Sequence, residues 1–407
     1  MLCQFTVKNF RCVRDELTLD MQAASISEHE KSLLTDKDGA KFLPVSVLYG
    51  PNGGGKSTVF MALNSLICKV LKPICATVRM DKECVERCQP TNIAPFKFDN
   101  KTVAQPTEFE IFFRTEATEY RYQLHIFKEK VIFESLYRKK IEGYRYAEVF
   151  TRKGSGSIVM KGSLRDYSAS GLTDNLPLLS YLGIARQRNH LIKDVINWFD
   201  HKISVRNYGS PRMDARVVIM KSKDARELML RMFEEMDIDI VDFRVEERNG
   251  DGITVYTTHS VKDKNHELEL LDESSGTIKL FGILPYIVVG LLNGETLIVD
   301  ELDAKLHPAL LKYIISLYTD PAINKKNAQL LFTSHDLSTM SGDFFRRDEI
   351  WFVAKDNDQA SKMYSLIEFR DENGKITRKD ASYNKQYLEG KYGADPYLRR
   401  IINWEEC

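Results

Sequence analysis

Residues 50 to 58 read GPNGGGKST and follow an apolar run at 43–49. A buried strand that ends in this pattern and passes into a helix leaves few folds open. The segment satisfies G-x-x-x-x-G-K-[ST] through Gly50, Gly55, Lys56 and Ser57. Glycine is needed because backbone N–H groups wrap a phosphate only where no Cβ intervenes. Asn52, Gly53, Gly54, Gly55, Lys56, Ser57 and Thr58 therefore form a candidate phosphate cradle. Lys56 reaches the outer phosphates, and Ser57 offers its hydroxyl to Mg²⁺. A helix starting near Lys56 and running through Phe60, Leu63 and Leu66 turns its positive end to the anion.

A phosphate loop needs acids to do chemistry, and these lie far downstream. TLIVDE at 296–301 reads as an apolar strand ending in Asp300 and Glu301, where a sheet delivers carboxylates to a nucleotide at its carboxyl edge. Asp300 is expected to hold Mg²⁺ through water. Glu301 is expected to orient or deprotonate the attacking water, the task phosphoryl transfer leaves to the protein. An acidic pair capping a buried strand can also be structural, and the loop upstream is what gives this pair a role. Three further pieces keep a fixed order: Glu273-Ser274-Ser275-Gly276-Thr277 before an apolar helix at 278–292, Asp303 in DAKLHP, and TSHD at 333–336 after a strand at 329–332.

With those residues in that order the chain resembles ATP-binding-cassette ATPases, in particular the SMC and RecF-like branch and its smaller relatives in phage defence. FTVKNFRCVRDELTLDM at 5–21 looks like the first hairpin of that branch. The resemblance implies an α/β fold: an ABC-type P-loop ATPase core with a mixed sheet, an antiparallel β-subdomain and a compact helical insertion. It makes Gly50 to Thr58 the Walker A loop, Asp300 and Glu301 the Walker B pair, Ser275 and Gly276 the signature, Asp303 the D-loop and His335 the switch histidine. The signature departs from LSGGQ by keeping Ser-Gly and losing the second glycine, a form associated with defence-type relatives. Gln105 is the Q-loop candidate by order, and a surface glutamine in a turn is the plainer reading.

At 407 residues the chain exceeds one average domain. The expected division is 1–165 for the first part of the core with the β-subdomain, 166–245 for the helical insertion, and 246–407 for the rest of the core. Short alternating runs, EFEIFFR, YRYQLHIF and VIFESLYR, predict three antiparallel strands across 107–138, with more at 143–160. Apolar spacings of three and four at 176–240 predict amphipathic helices, and without sustained heptads no long coiled-coil arm is expected. The tail offers strand-like EIWFVAK and MYSLIEF, then a short helix near 385–392. Its one D-x-D, Asp356-Asn357-Asp358, falls in a turn and the tail is short for a Toprim nuclease domain, so nuclease or toxin activity is assigned to a partner. YLEGKYGADP at 387–396 looks like the ending of stand-alone abortive-infection ATPases.

The longest apolar stretches are interrupted by polar residues, so no membrane span is expected. MLCQFTVKNF lacks a basic flank and apolar signal region, so the chain is expected in the cytoplasm. Seven cysteines suit reduced thiols. Cys68, Cys75, Cys84 and Cys88 cluster, yet their spacing fits no C-x₂-C pair, and ordinary thiols are expected. Lys plus Arg equals Asp plus Glu at 58 each, so no global field advertises nucleic acid. Local DNA contact would fall to Arg138, Lys139, Lys140, Arg145, Arg152, Lys153, Lys161, Arg186, Arg188, Arg206 and Arg212, which otherwise read as solvated faces.

The resemblance implies that one copy is incomplete. ATP with Mg²⁺ would be sandwiched between the loop of one subunit and Ser275 and Gly276 of another, in a homodimer or higher homo-oligomer. The expected function is a nucleotide-dependent ATPase switch in antiphage defence that controls a partner nuclease or toxin. The alternative is a RecF-like DNA-repair ATPase.

Overall fold

The computed structural model describes residues 1–79, 92–185, 189–207, 223–248, 252–371 and 374–394. A six-stranded sheet runs in the order Ile203–Asn207, Thr296–Asp300, Gln329–Thr333, Val45–Tyr49, Ile350–Lys355 and Ser361–Ser365. The first five strands are parallel and the last is antiparallel. Val45–Tyr49, Thr296–Asp300 and Gln329–Thr333 are buried at every position, as parallel strands covered on both faces must be. Within one strand, Val45, Val47 and Tyr49 join one apolar core and Leu48 the other.

A seven-stranded antiparallel sheet lies on one side. Its order is Ser157–Met160, Ala147–Lys153, Lys130–Lys140, Thr118–Phe127, Thr107–Arg114, Leu2–Lys8 and Leu17–Asp20. The alternation seen in sequence is its inward face, where Phe109, Ile111 and Phe113 are buried. The first hairpin, Leu2–Lys8 with Leu17–Asp20, belongs to this same sheet through pairing with Thr107–Arg114. Helix Lys56–Ile74 shares one core with it, whereas helices Ser275–Asn293 and Pro308–Thr319 fill the second core.

The stretch at 176–240 holds helices Leu178–Ala185, His190–His201 and Lys223–Glu235. It also sends Ile203–Asn207 into the six-stranded sheet beside Thr296–Asp300. Leu178, Leu182, Val195 and Trp198 sit in the same core as helix Lys56–Ile74, so this half of the stretch is part of the main body. A strand of five residues is too short for its period to stand out between helices. A small sheet of Asp242–Arg248, Gly252–Val261 and Lys264–Glu269 follows.

In the tail, Ile350–Lys355 and Ser361–Ser365 are strands and the helix spans only Tyr383–Leu388. Residues 395 and 396 of the tail motif lie outside the described residues. Its Tyr392 stacks on Phe352 with ring centroids 4.8 Å apart, and the Tyr387 hydroxyl donates to the Ala394 carbonyl at 2.9 Å. The motif therefore covers the strand that flanks the phosphate loop.

Several expectations are corrected. Helices Lys56–Val78 and Ser275–Asn293 are each long and apolar enough to cross a membrane by length and composition, although none was expected. In each, 67% of the apolar window is buried inside the fold, because both helices spend their apolar surface on the two cores. Cys3, Cys12 and Cys68 are free thiols, whereas Cys75 is disulfide-bonded rather than free. Cys84 and Cys88 lie outside the described residues. Arg152 is no solvated cation: it is 1% exposed, and its guanidinium donates to the carbonyls of Gly154, Leu176 and Thr173 at 2.9, 2.6 and 3.1 Å. Lys139 pairs with Glu119 at 2.9 Å, Lys161 with Glu148 at 2.5 Å, and Arg206 lies 4.2 Å over the Tyr286 ring. Arg138, Lys140, Arg145 and Lys153 are exposed. Arg186, Arg188 and Arg212 lie outside the described residues.

Candidate nucleotide-binding site

Val45–Tyr49 ends at Gly50, where φ is 152° and an added Cβ would lie 2.0 Å from the Val353 carbonyl oxygen. At Gly55, with φ 113°, a Cβ would meet Ser361 Oγ at 2.2 Å. Both glycines thus answer to packing against the neighbouring hairpin of Ile350–Lys355 and Ser361–Ser365 as well as to any phosphate. Gly55 is also the N-cap of Lys56–Ile74 and supplies no side-chain cap. The first-turn amides and the positive end of a 19-residue helix are left facing the loop.

One cavity of about 250 Å³ collects the parts. The loop lines it with Asn52, Gly53, Gly55, Lys56, Ser57 and Thr58, and the far strands line it with Asp300, Glu301 and His335. Cys12, Pro51 and Lys355 complete the wall. Gly54 stands behind it, its carbonyl accepting from Ser361 Oγ at 2.8 Å. Sheet order explains the meeting: Asp300, Thr333, Tyr49 and Lys355 end four adjacent parallel strands at one edge, where open α/β sheets bind ligands.

Lys56 Nζ donates to the Gly50 and Pro51 carbonyls at 2.7 and 3.2 Å. Burial draws its pKa down, and Asp300, Asp303 and Glu301 pull against that. Thr333 Oγ1 donates to Asp300 Oδ1 at 2.7 Å and accepts from the Glu301 amide at 2.7 Å, fixing both acids from the next strand. Glu301 adopts φ +56°, a left-handed conformation that costs a non-glycine residue about 1 kcal/mol or more. Burial, and then Lys56, hold the His335 imidazole below its ordinary pKa, against the pull of Asp303, Glu301 and Asp300. Its backbone amide donates to Asp303 Oδ2 at 2.8 Å, while Asp303 Oδ1 is buried with no hydrogen-bond partner among the described residues.

A hydroxyl, Ser57, and a carboxylate, Asp300, sharing a cavity with a phosphate cradle fit Mg²⁺, which takes one or two protein oxygens and completes its shell with phosphate and water. Among the described residues no group of three or more His, Cys, Asp or Glu could hold a metal unaided.

The segment before helix Ser275–Asn293 stands apart. Ser275 and Gly276 do not line the cavity. Ser274 caps the helix, its Oγ accepting from the Thr277 amide at 3.2 Å. Glu273 accepts from Thr257 Oγ1 and pairs with His259 Nε2, each at 2.6 Å, which ties the segment to the small sheet. Lys279, 3% exposed, donates to the Ala304 carbonyl. Burial and the nearby Lys305 lower its pKa to about 8. The start of this helix is thereby linked to the turn that carries Asp303. Gln105 is exposed and lies outside the cavity wall.

Residues 45–341 match the family model described as "AAA domain, putative AbiEii toxin, Type IV TA system". The chain belongs to this AAA-domain family. It resembles abortive-infection ATPases, with an α/β P-loop core, antiparallel strands and added helices. No curated protein matches the chain. Similar solved structures include the SMC head domain from Thermotoga maritima, at 14% identity and a TM-score of 0.40, covering 89% of this chain and 98% of that one. Another is the SmcHead bound to the C-winged helix domain of ScpA, at 12% identity and a TM-score of 0.42, covering 89% and 97%.

Three contributors in this AAA-family chain escaped sequence reasoning. Thr333 had a signal, since it opens TSHD at the end of its strand. Cys12 and Lys355 had none, because only sheet order brings them to the loop.

Proposed function

We propose that the chain binds ATP with Mg²⁺ in the cavity at Gly50–Thr58 and hydrolyses it as a nucleotide-dependent homodimer or higher homo-oligomer. Lys56 contacts the outer phosphates, Ser57 and Asp300 hold the cation, Glu301 prepares the water and His335 senses the terminal phosphate. Mg²⁺ neutralises developing charge when bound. A neutral His335, favoured by its lowered pKa, can donate one ring N–H and accept at the other nitrogen.

The observation that carries the reading is the single cavity uniting the loop with Asp300, Glu301 and His335, with Ser275 and Gly276 left outside it. A second copy supplying Ser275 and Gly276 would close that cavity over the nucleotide. Asp303, linked to His335 within one chain, then lies between hydrolysis and the interface. Loss of the terminal phosphate loosens the dimer because the two states differ in contacts. In the defence reading, supported by the family description, this change controls a partner nuclease or toxin in the cytoplasm. The burial of Arg152 and the pairing of Lys139 and Lys161 weigh against the DNA-repair alternative. Hydrolysis by the purified chain with and without double-stranded DNA tests this: DNA-indifferent turnover is expected, and strong DNA stimulation would favour repair.

A further inference from the structure

Lys355 is an unassigned cation in the cavity wall. Among the described residues its side chain makes no ion pair or hydrogen bond. Its neighbours differ: Arg14 pairs with Asp358 at 2.9 Å, and Lys362 with Asp15 at 2.7 Å. An exposed lysine left unpaired amid available carboxylates, and facing an anion cradle, is placed to meet a ligand's charge.

The sheet says which part of the ligand. Thr296–Asp300 lies two strands from Val45–Tyr49 on one side, with Gln329–Thr333 between, while Ile350–Lys355 is the adjacent strand on the other side. Asp300, Glu301 and His335 therefore approach the loop from one flank and Lys355 from the opposite flank. Local links keep it there. Lys355 faces Ser361 across the hairpin; the Ser361 amide donates to the Cys12 carbonyl at 2.7 Å; Cys12 Sγ contacts Thr58 Oγ1 at 3.2 Å. Thr58 follows the two residues that serve the outer phosphates and the cation.

We propose that Lys355 is a nucleotide-contact residue that pairs with the α-phosphate side of the ligand, the part ATP and ADP share. This rests on the nucleotide-binding reading of the cavity. Lys355 then sets affinity for both nucleotides and takes no part in water attack.

The test is calorimetric binding of MgADP and of a slowly hydrolysed MgATP analogue to the full chain, its Lys355→Ala variant and its Lys355→Arg variant. Lys355→Ala is expected to weaken both nucleotides by the same factor, about ten-fold, and to lower the salt dependence of binding. Lys355→Arg should recover most of the affinity. An unchanged unfolding midpoint, expected at an exposed site, separates contact from folding. Wild-type affinity in Lys355→Ala would overturn the inference, and so would loss confined to the triphosphate. A wild-type chain that binds neither nucleotide would instead overturn the nucleotide reading, and the inference with it.

Discussion

Two helices of 19 residues, Lys56–Ile74 and Ser275–Asn293, each follow a Gly- or Ser-containing segment and bury their apolar surface in a core, yet their first turns differ. The first has Gly55 as N-cap with no side-chain bond, and opens into a cavity with acids on its far wall. The second is capped by Ser274, linked through Lys279 to the Ala304 carbonyl, and lines no part of that cavity. A helix start becomes an anion site where the chain withholds a cap and places cations nearby. At the other start Ser274 caps only the Thr277 amide, and Ser275 and Gly276 stand outside the cavity. In the proposed function these two residues belong to the partner copy's ATP.

The comparison can be broken from either side. The largest effect is expected from Lys56→Ala, which should weaken nucleotide binding by about 100-fold or more, since a cation to phosphate contact in a partly buried site is lost. Calorimetry checks it, and near-normal affinity would remove the first helix start from the binding site. Next comes Gly276→Arg. An added Cβ there has its nearest neighbour, the Lys305 carbonyl oxygen, at 3.6 Å, so the fold should tolerate a larger side chain. ATP affinity measured on the monomer should stay within about three-fold, while turnover falls by about ten-fold or more. Chelating Mg²⁺ should stop turnover while Lys56 still retains some ATP, read by comparing hydrolysis and binding in the same buffer; magnesium-independent turnover would remove Ser57 and Asp300 from the cation site. The smallest effect is Ser274→Ala, which removes a cap worth about 1 kcal/mol and should lower the unfolding midpoint by a few degrees. No change in midpoint would show that this cap does little.

The first helix start was legible in sequence because its parts are contiguous: a buried strand, a glycine loop and an amphipathic helix in nine-residue reach of one another. The acids at Asp300 and Glu301 were legible because they end an apolar run. The antiparallel sheet was legible through alternation, as Phe109, Ile111 and Phe113 illustrate. What stayed hidden was adjacency. Lys355 ends a strand almost 300 residues after the loop, and nothing in EIWFVAK announces which neighbour it will have. Arg152 read as a surface cation because two of its carbonyl partners, Thr173 and Leu176, come from a turn over 20 residues on. Ile203–Asn207 was hidden between helices because its pairing with Thr296–Asp300 is non-local. Lys279 interrupts an apolar helix, and its bond to the Ala304 carbonyl is made far away in sequence.

If a second copy completes each site, two inactive variants should rescue one another when mixed. Lys56→Ala lacks a working loop but keeps Ser275 and Gly276, whereas Gly276→Arg keeps the loop and loses the opposing surface. Each alone should hydrolyse ATP poorly. Mixed in equal amounts, they should recover turnover, because one of the two shared sites is then whole. A mixture that stays as inactive as its parts, or a Gly276→Arg variant fully active alone, would contradict the account.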